Sequence, residues 1–487
     1  MSEEFFALVA PTPVAAPSLL KLNTDLAGSL GLSPEWLASP VGVETLAGNR
    51  ALPGAAPLAM AYAGHQFGNW VPMLGDGRAI QIGEALDAEG RTHGIQLKGS
   101  GPTPFSRNGD GRAAIGPVLR EYVLSEAMFA LGIPTTRALA MVRTGEPVYR
   151  ERAEPGAILT RVASGFVRVG TFQYFAAQGR TDSIRELADH VIERRYADLS
   201  TEIEGGPERY RALLSRVVAV QAELIAQWMC VGFIHGVMNT DNMSIMGETI
   251  DYGPCAFLDE YDPGKVFSSI DRNGRYAYHQ QPGIGLWNLT RFAETLLPLL
   301  DEEEEAAIEF ATSVLDGYAE LFHAAYGDGL RQKFGFANWD QAAQDLSGTF
   351  LDAMAQGNAD FTLAFRHLSE LSAAEDHADG GEEALRLTFS DPSAVDAFLP
   401  LWRAKVRDEG GEDGARKAAM RAVNPLFIPR NHRVQEAIDA LVDRGDAAPL
   451  DALLAVTARP FEENEEYAPY ANPPEPDEIV RQTFCGT

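Results

Sequence analysis

Two short segments carry the residue types most able to do chemistry, Phe233-Ile-His-Gly-Val-Met-Asn-Thr-Asp-Asn-Met243 and, a few residues on, Ile250-Asp-Tyr-Gly253. Asp241, Asn242 and Asp251 are hard oxygen donors of the kind that hold Mg2+ bound mainly through phosphates. A carboxylate that the metal does not need can take a hydroxyl proton. As isolated tripeptides, such sequences are also common turns. Upstream, Gly75-Asp-Gly-Arg-Ala79 offers glycines whose backbone N–H groups can approach phosphate oxygens, with Arg78 adding charge. Gly-Asp-Gly is equally an ordinary turn. Lys98, next to Gly99-Ser-Gly101, is placed either to meet a phosphate or to snorkel at the surface. Glu121 would pair with Lys98, or simply favour a helix start on a solvated face. Arg161 and Arg168 stand seven apart in Leu159-Thr-Arg-Val-Ala-Ser-Gly-Phe-Val-Arg-Val-Gly170. On a helix that step would put both guanidiniums on one face, able to grip phosphate; ion pairs with the many carboxylates are the competing explanation.

The elements that must position these groups follow from periodicity. Ala79-Ile-Gln-Ile82 and Gly94-Ile-Gln-Leu-Lys98 alternate apolar and polar residues around Asp87-Ala-Glu-Gly-Arg91, and read as a hairpin. That alternation puts Gln96 and Lys98 on one face, with Ile95 and Leu97 on the other. The polar loop Asn108-Gly-Asp-Gly-Arg112 precedes a helix expected over Pro117–Leu131, with Glu121 in its first turn and Gly132 as its stop. A short helical stretch is expected near Leu19–Leu32. Leu213, Val217, Val220, Leu224 and Trp228 recur at helical steps and form a buried stripe that ends at Gly232. The stripe helix should run into the His235-Gly loop, followed by an apolar hairpin turning at Gly247. Glu375–Glu383 and Asp408–Asp413 read as acidic surface loops, and the chain after Pro460 as a Pro-rich acidic tail.

Composition bounds the function classes. Across 487 residues, 40 Lys+Arg oppose 69 Asp+Glu, a net charge of −29. That balance argues against nucleic-acid and anionic-membrane partners, whose binding rests on basic residues. It leaves room for a local basic pocket. Cys230, Cys255 and Cys485 cannot build a disulfide framework or a zinc site, so a reducing cytoplasm is the expected location. The N-terminus lacks the basic start of a signal peptide. In the longest apolar run, Leu213–Phe233, Arg216, Gln221, Glu223 and Gln227 argue against a membrane span.

A Gly loop, a strand Lys, a helix Glu, a His-Gly loop with Asp241-Asn242 and then Asp251-Tyr-Gly253 match, in order, the working parts of a protein-kinase-like fold. The expected class is therefore α+β and two-lobed. Residues 1–165 give an N-terminal segment and β-rich N-lobe, 166–340 a helical C-lobe with the catalytic loop, and 341–487 a C-terminal helical extension with an acidic tail.

The sequence closely resembles the selenoprotein O family of protein adenylyltransferases. The resemblance rests on Tyr62-Ala-Gly-His-Gln-Phe-Gly68, Gln96-Leu-Lys-Gly-Ser-Gly-Pro-Thr-Pro-Phe-Ser-Arg107, Arg120-Glu-Tyr-Val-Leu-Ser-Glu126, His235 to Asn242 and Asp251-Tyr-Gly-Pro254. Gln281-Pro, Trp287-Asn-Leu-Thr-Arg291, Asn424-Pro and Arg430-Asn431 extend it into the C-terminal half. It implies ATP bound in reverse orientation and AMP moved to Ser, Thr or Tyr hydroxyls of protein substrates, with Mg2+ (or Mn2+) as cofactor. By motif position, Gly75, Gly77, Arg78, Lys98, Asp110, Gly111, Arg161, Arg168 and Asp251 would bind nucleotide. Asp241 would be the proton acceptor, Asn242 and Asp251 would hold the metal, and Glu121 would support Lys98. Cys485-Gly-Thr487 stands where eukaryotic members carry selenocysteine, and Val266-Phe-Ser-Ser269 lacks the second cysteine of relatives, leaving Cys255 as the nearest thiol to Asp251. Two other functions fit the same residues, a γ-phosphoryl transferase and a catalytically silent nucleotide-binding scaffold, the latter because the loop reads His235-Gly-Val rather than His-Arg-Asp.

Overall fold

A computed structural model describes residues 2–203, 205–374 and 381–483. The N-terminal part contains β1 (Phe6–Leu8), β2 (Ser18–Leu22), short helices α1 (Thr24–Ser29), α2 (Pro34–Ala38) and α3 (Pro40–Leu46), and β3 (Leu58–Met60). Then come β4 (Gly64–Gln66), β5 (Asn69–Val71), β6 (Ala79–Leu86), β7 (Thr92–Lys98), β8 (Ala113–Ala114), α4 (Ile115–Ala130), β9 (Arg137–Tyr149) and β10 (Ala153–Ala163). The main sheet is antiparallel, in the order β1-β3-β6-β7-β10-β9-β2, with β8 also on β10. The expected hairpin is β6–β7. The Leu19–Leu32 stretch is only partly helical: β-branch-poor Leu19 to Leu22 pair with β9 as a strand, and Asn23 caps α1 through its side chain.

Period-2 alternation sorts the two faces. Ile80, Ile82, Ile95 and Leu97 pack with Leu26, Leu30, Leu37 and Leu46 of α1–α3. The other face carries Gln96, Lys98 and Arg161, because β10 lies beside β7 with Arg161 opposite Gln96 and Leu159 opposite Lys98. Helix α4 packs near that face through Val118, Leu119 and Tyr122.

Beyond β10 the chain is mostly helical: α5 (Val169–Ala176), α6 (Thr181–Arg195), α7 (Ala197–Glu202) and α8 (Pro207–Cys230) precede the ribbon β11 (Phe233–Ile234) and β12 (Ala256–Phe257). Helix α8 is long and apolar enough by composition to cross a membrane, but its Leu213, Val217, Leu224 and Trp228 are buried in the protein core. Then follow α9 (Gln281–Leu300), α10 (Glu304–Asp316), α11 (Tyr318–Phe334), α12 (Gln341–Gln356), α13 (Phe361–Leu368), α14 (Gly381–Leu387), α15 (Ser393–Glu409), α16 (Asp413–Arg421), α17 (Asn431–Asp439) and α18 (Ala448–Thr457). The last two helices turn back: Val434, Leu441, Leu450 and Leu453 share one apolar cluster with α4. Buried Arg430 ties this region to the loop after β12 through Asp259 at 2.7 Å and to the start of α13 through Asp360 at 2.8 Å.

Several local expectations are corrected. The apolar hairpin at Gly247 is absent as a ladder; Ser244 bridges to Arg168 and Thr249 to Thr135, so each arm pairs with a distant segment instead of its neighbour. Asp408–Glu409 finish α15 and Asp413 starts α16, which leaves only Gly410–Glu412 as loop. Gly381–Glu383 open α14, while the preceding residues of that acidic stretch lie outside those described. The tail is anchored at Thr483, whose hydroxyl donates to the Pro254 carbonyl at 2.5 Å.

Candidate active site

A cavity of about 640 Å3 is lined by every residue singled out above: Gly75, Gly77, Arg78, Lys98, Asp110, Gly111, Glu121, Arg161, Arg168, Asp241, Asn242 and Asp251. Its size suits a small-molecule ligand. At the deep end, Lys98 Nζ donates to Glu121 at 2.5 Å and to Asp251 at 3.3 Å. Arg161 reaches the same two carboxylates, Glu121 through Nε at 2.8 Å and Asp251 at 2.6 Å, and also bonds Gln96 at 3.1 Å. Arg168 donates to the other Asp251 oxygen and, at 2.6 Å, to the Asp241 backbone carbonyl. Asp251 thus gathers three cations. It does so from a left-handed backbone conformation, φ +63°, which an L-residue other than Gly, Asn or Asp seldom adopts.

The two arginines converge, but not on a helix. Arg161 is on strand β10 and Arg168 is the residue before α5, so the seven-residue helical step is not what aligns them. Glu121 sits in the second turn of α4, not the first, because the helix starts at Ile115; burial in the cluster, not the helix dipole, explains it.

These environments set the charge states. Burial would raise the carboxyl of Asp251, yet Arg168, Arg161 and Lys98 outweigh it and hold the group well below the usual carboxylate range. Glu121 is likewise lowered, its burial outweighed by Arg161 and then Lys98. Asp241 behaves oppositely: burial pushes it up to about 6, against the hydrogen bond from Gln66 and the charge of Arg168. Its Oδ2 accepts from Gln66 Nε2 at 3.2 Å, whereas Oδ1 is buried without a partner. Asn242 gives its amide N–H to Val237 O at 3.0 Å, which leaves its carbonyl oxygen for a ligand. Among the described residues no group of three His, Cys, Asp or Glu could hold a metal ion. The Asn242 carbonyl oxygen and the Asp251 carboxylate are the hard donors a cation sharing its shell with phosphate and water would need, although Lys98, Arg161 and Arg168 occupy both Asp251 oxygens here.

The upper wall is a double glycine loop. Gly75 has φ +78°, and a Cβ there would lie 2.3 Å from the Phe105 ring. Between the glycines Asp76 turns inward, where it accepts from Met60 N at 3.1 Å and Gln96 at 3.2 Å; burial raises its carboxyl, against the pull of Arg168. Arg78 is half-buried on the cavity wall. Thr103 and Ser106 donate to the carbonyls of Asp76 and Gly77, pinning the loop from outside. Asp110 is exposed, while Gly111 is buried behind it. Arg150 clamps Asp110 at 2.8 and 3.0 Å and, through those bonds, lowers its carboxyl. A Cβ on Gly111 would lie 2.0 Å from the Gly101 backbone.

Sequence reasoning missed several partners. Gln66 comes from the tip of the β4–β5 hairpin, which rests on the Asn239–Asp241 loop through His65 N to Thr240 at 2.7 Å and Phe67 N to Asn239 at 3.0 Å. Only the glycines around Gln66 could have flagged it: a Cβ on Gly64 would lie 2.8 Å from Asp241. Asp76 and Tyr62 lay inside quoted motifs but were given no role, although the Tyr62 ring lies 4.8 Å from the Arg168 guanidinium, and Arg150 had no local signal. Cys255 is buried near Asp251, and Cys485 lies outside the described residues.

A family model described as protein adenylyltransferase SelO matches residues 1–458 of this chain. A protein of Rhodopseudomonas palustris (strain BisB5) named protein nucleotidyltransferase YdiU is 59% identical, covering 100% of this chain and 97% of its own length. Proteins of the same name from Bradyrhizobium sp. (strain BTAi1) and Rhizobium rhizogenes are 58% and 57% identical; the alignments cover 100% and 99% of this chain and 97% and 95% of theirs.

Proposed function

Because this chain belongs to the protein adenylyltransferase SelO family, and so is a protein nucleotidyltransferase, we propose that it moves AMP from ATP to Ser, Thr or Tyr hydroxyls of target proteins and releases pyrophosphate. The observation that carries this reading is the convergence of Lys98, Arg161 and Arg168 at the buried end of the cavity. Three cations walled in by protein suit a polyphosphate and not an apolar base. ATP therefore enters with its terminal phosphates inward, reversed relative to ordinary kinases, and its α-phosphate faces the acceptor. The strand Lys, its helix Glu and the two acidic loops support the kinase-like, two-lobed reading of the fold, with the lobes meeting near residue 165 and a helical extension after 340.

In this mechanism the acceptor oxygen attacks the α-phosphorus while the bond to the α–β bridging oxygen breaks. The departing pyrophosphate carries the bond electrons and is stabilised by Lys98, Arg161 and Arg168. The hydroxyl proton passes to Asp241, whose inner oxygen Oδ1 is buried without a partner. Asn242 and Asp251 would hold Mg2+, or Mn2+, which supplies charge neutralisation on the phosphates. Gly75, Gly77 and Arg78 cradle phosphate from above, and Asp110 and Gly111 take the nucleoside end. Incubation of the protein and a target with ATP labelled at either the α- or the γ-phosphate tests the reading. Protein-bound label from the α position alone is expected. Label from γ alone would instead make it a phosphotransferase, and none from either a scaffold.

A further inference from the structure

Next to the catalytic loop lies an arginine pair that none of this chemistry uses. The hairpin tip Phe67-Gly68 packs on Arg275-Tyr276: Asn239 Oδ1 accepts from both Phe67 N at 3.0 Å and the Tyr276 hydroxyl at 2.6 Å. Asn239 is two residues from Asp241, so this cluster borders the catalytic carboxylate. Arg275 is sandwiched. Its Cζ lies 4.8 Å from the Trp287 ring centroid, and a Cβ on Gly68 would sit 3.6 Å from it. Arg291 lies over the same indole at 5.2 Å. The Nε atoms of both are buried without partners.

Two like charges on one ring repel, and an indole offsets that only in part. Arg291 has Glu294 at 2.5 Å, but among the described residues Arg275 has no carboxylate within ion-pair distance. The nearby Asp271 spends its oxygens on the backbone amides of Arg275 and Tyr276, at 3.0 and 2.7 Å. In a chain with 69 acidic residues against 40 basic ones, leaving a pre-stacked guanidinium without a carboxylate beside the Asn239–Asp241 loop points to an anion supplied from outside. The rim is also apolar: Trp70, 40% exposed, packs against His65, which in turn meets Trp287 edge-on. That mixture suits a polypeptide better than a free phosphate.

We infer that Arg275 and Arg291, stacked on Trp287, dock an acidic side chain of the acceptor protein beside the hydroxyl that is modified. The enzyme thus prefers acceptor segments with Asp or Glu flanking the Ser, Thr or Tyr. The inference rests on the proposed transfer to protein hydroxyls, and the test separates the two. Three synthetic peptides share one sequence with a central Ser and Tyr, flanked by Glu, Gln or Lys. Fluorescence anisotropy measures their binding to the intact protein with ATP·Mg2+ analogue present, and α-label transfer measures their use.

The Glu peptide should bind and react about tenfold better than the Gln peptide, the scale of one charge-assisted hydrogen-bonded contact. Arg275→Glu should remove that preference and favour the Lys peptide, Arg275→Lys should keep most of it, and Arg275→Gln, which still stacks, should lose it. Calorimetric affinity for ATP·Mg2+ should not change. Equal or absent binding of the Glu and Gln peptides, or wild-type discrimination in Arg275→Glu and Arg275→Gln, overturns the inference. So does loss of nucleotide affinity, which would assign the pair to phosphate. Glu-selective binding without label transfer would uphold the docking surface and refute the transfer reaction.

Discussion

Replacing Glu121 with Gln removes one charge and almost no volume, and the structure says what that should do. The deep cluster holds Lys98, Arg161 and Arg168 against Asp76, Glu121 and Asp251, three positive groups and three carboxylates. Glu121 is 2% exposed and accepts from Lys98 at 2.5 Å and from Arg161 at 2.8 Å. The variant leaves one buried cation uncompensated and points an amide N–H at a donor. Breaking a buried pair costs about 3–5 kcal/mol; Asp251 still faces both cations, so about 2–3 kcal/mol is the expected loss. At about 2 cal/mol/K per residue, unfolding 487 residues carries roughly 1 kcal/mol/K of entropy, so the melting point would fall by only about 3 °C. Urea denaturation followed by tryptophan fluorescence is the better assay. ATP·Mg2+ should recover part of the loss, because its phosphates supply the missing negative charge, so the ligand should stabilise the variant more than the wild type. An unchanged urea midpoint, or equal stabilisation of both proteins by ligand, would refute this account of the cluster.

Asp251→Ala should weaken metal-dependent ATP binding and turnover together, whereas Asp241→Ala should keep ATP·Mg2+ binding in calorimetry and slow transfer by about 10²–10⁴-fold; the reverse pattern would exchange the two roles. Gln66→Leu should lower kcat by about tenfold with little change in nucleotide affinity, because Gln66 orients the Asp241 carboxylate at 3.2 Å; steady-state kinetics beside calorimetry checks it. Lys333 is 3% exposed, its ammonium 4.1 Å from the Phe365 centroid, and burial pushes its pKa down to about 8. An unfolded lysine titrates near 10.4, so above pH 8 the unfolded chain binds the extra proton and stability should rise with pH, by about 1 kcal/mol per unit. Neighbouring Cys230, pushed up to about 12 by burial, acts in the opposite sense above about pH 8.5, so the clean window is narrow. Lys333→Met should abolish the rise and add about 2–3 kcal/mol at neutral pH, read from urea midpoints across pH 7–9.

The parts of the site that follow from local periodicity were legible. Alternation in Gly94–Lys98 placed Lys98 on the cavity face, and the helix after Pro117 brought Glu121 to it. Asp241, Asn242 and Asp251, close in sequence, all line one cavity. Arg161 and Arg168 were chosen for a reason that fails. Their convergence depends on the β7–β10 register and on the left-handed turn at Asp251, neither of which leaves a local trace. Gln66 and Arg150 are held by contacts between segments far apart in sequence, 175 residues in the case of Gln66 and Asp241. The arms around Gly247 were apolar enough to read as a hairpin, but each found a better partner elsewhere in the core.

The packing of α17 and α18 against α4 has a consequence for how the protein is made. Glu121 is seated by a helix whose outer face is covered by Val434, Leu441, Leu450 and Leu453, and Ile438 lies 3.3 Å from where a Cβ on Gly116 would be. A chain emerging from the ribosome therefore contains Lys98 and Arg161 well before it contains the helices that hold their shared partner Glu121 in place. At about 5–20 residues per second, the stretch from Asp251 to Thr457 takes on the order of 10–40 s to synthesise. During that interval the cation cluster lacks its brace. Bracing of Glu121 thus waits until the chain has been made as far as Thr457.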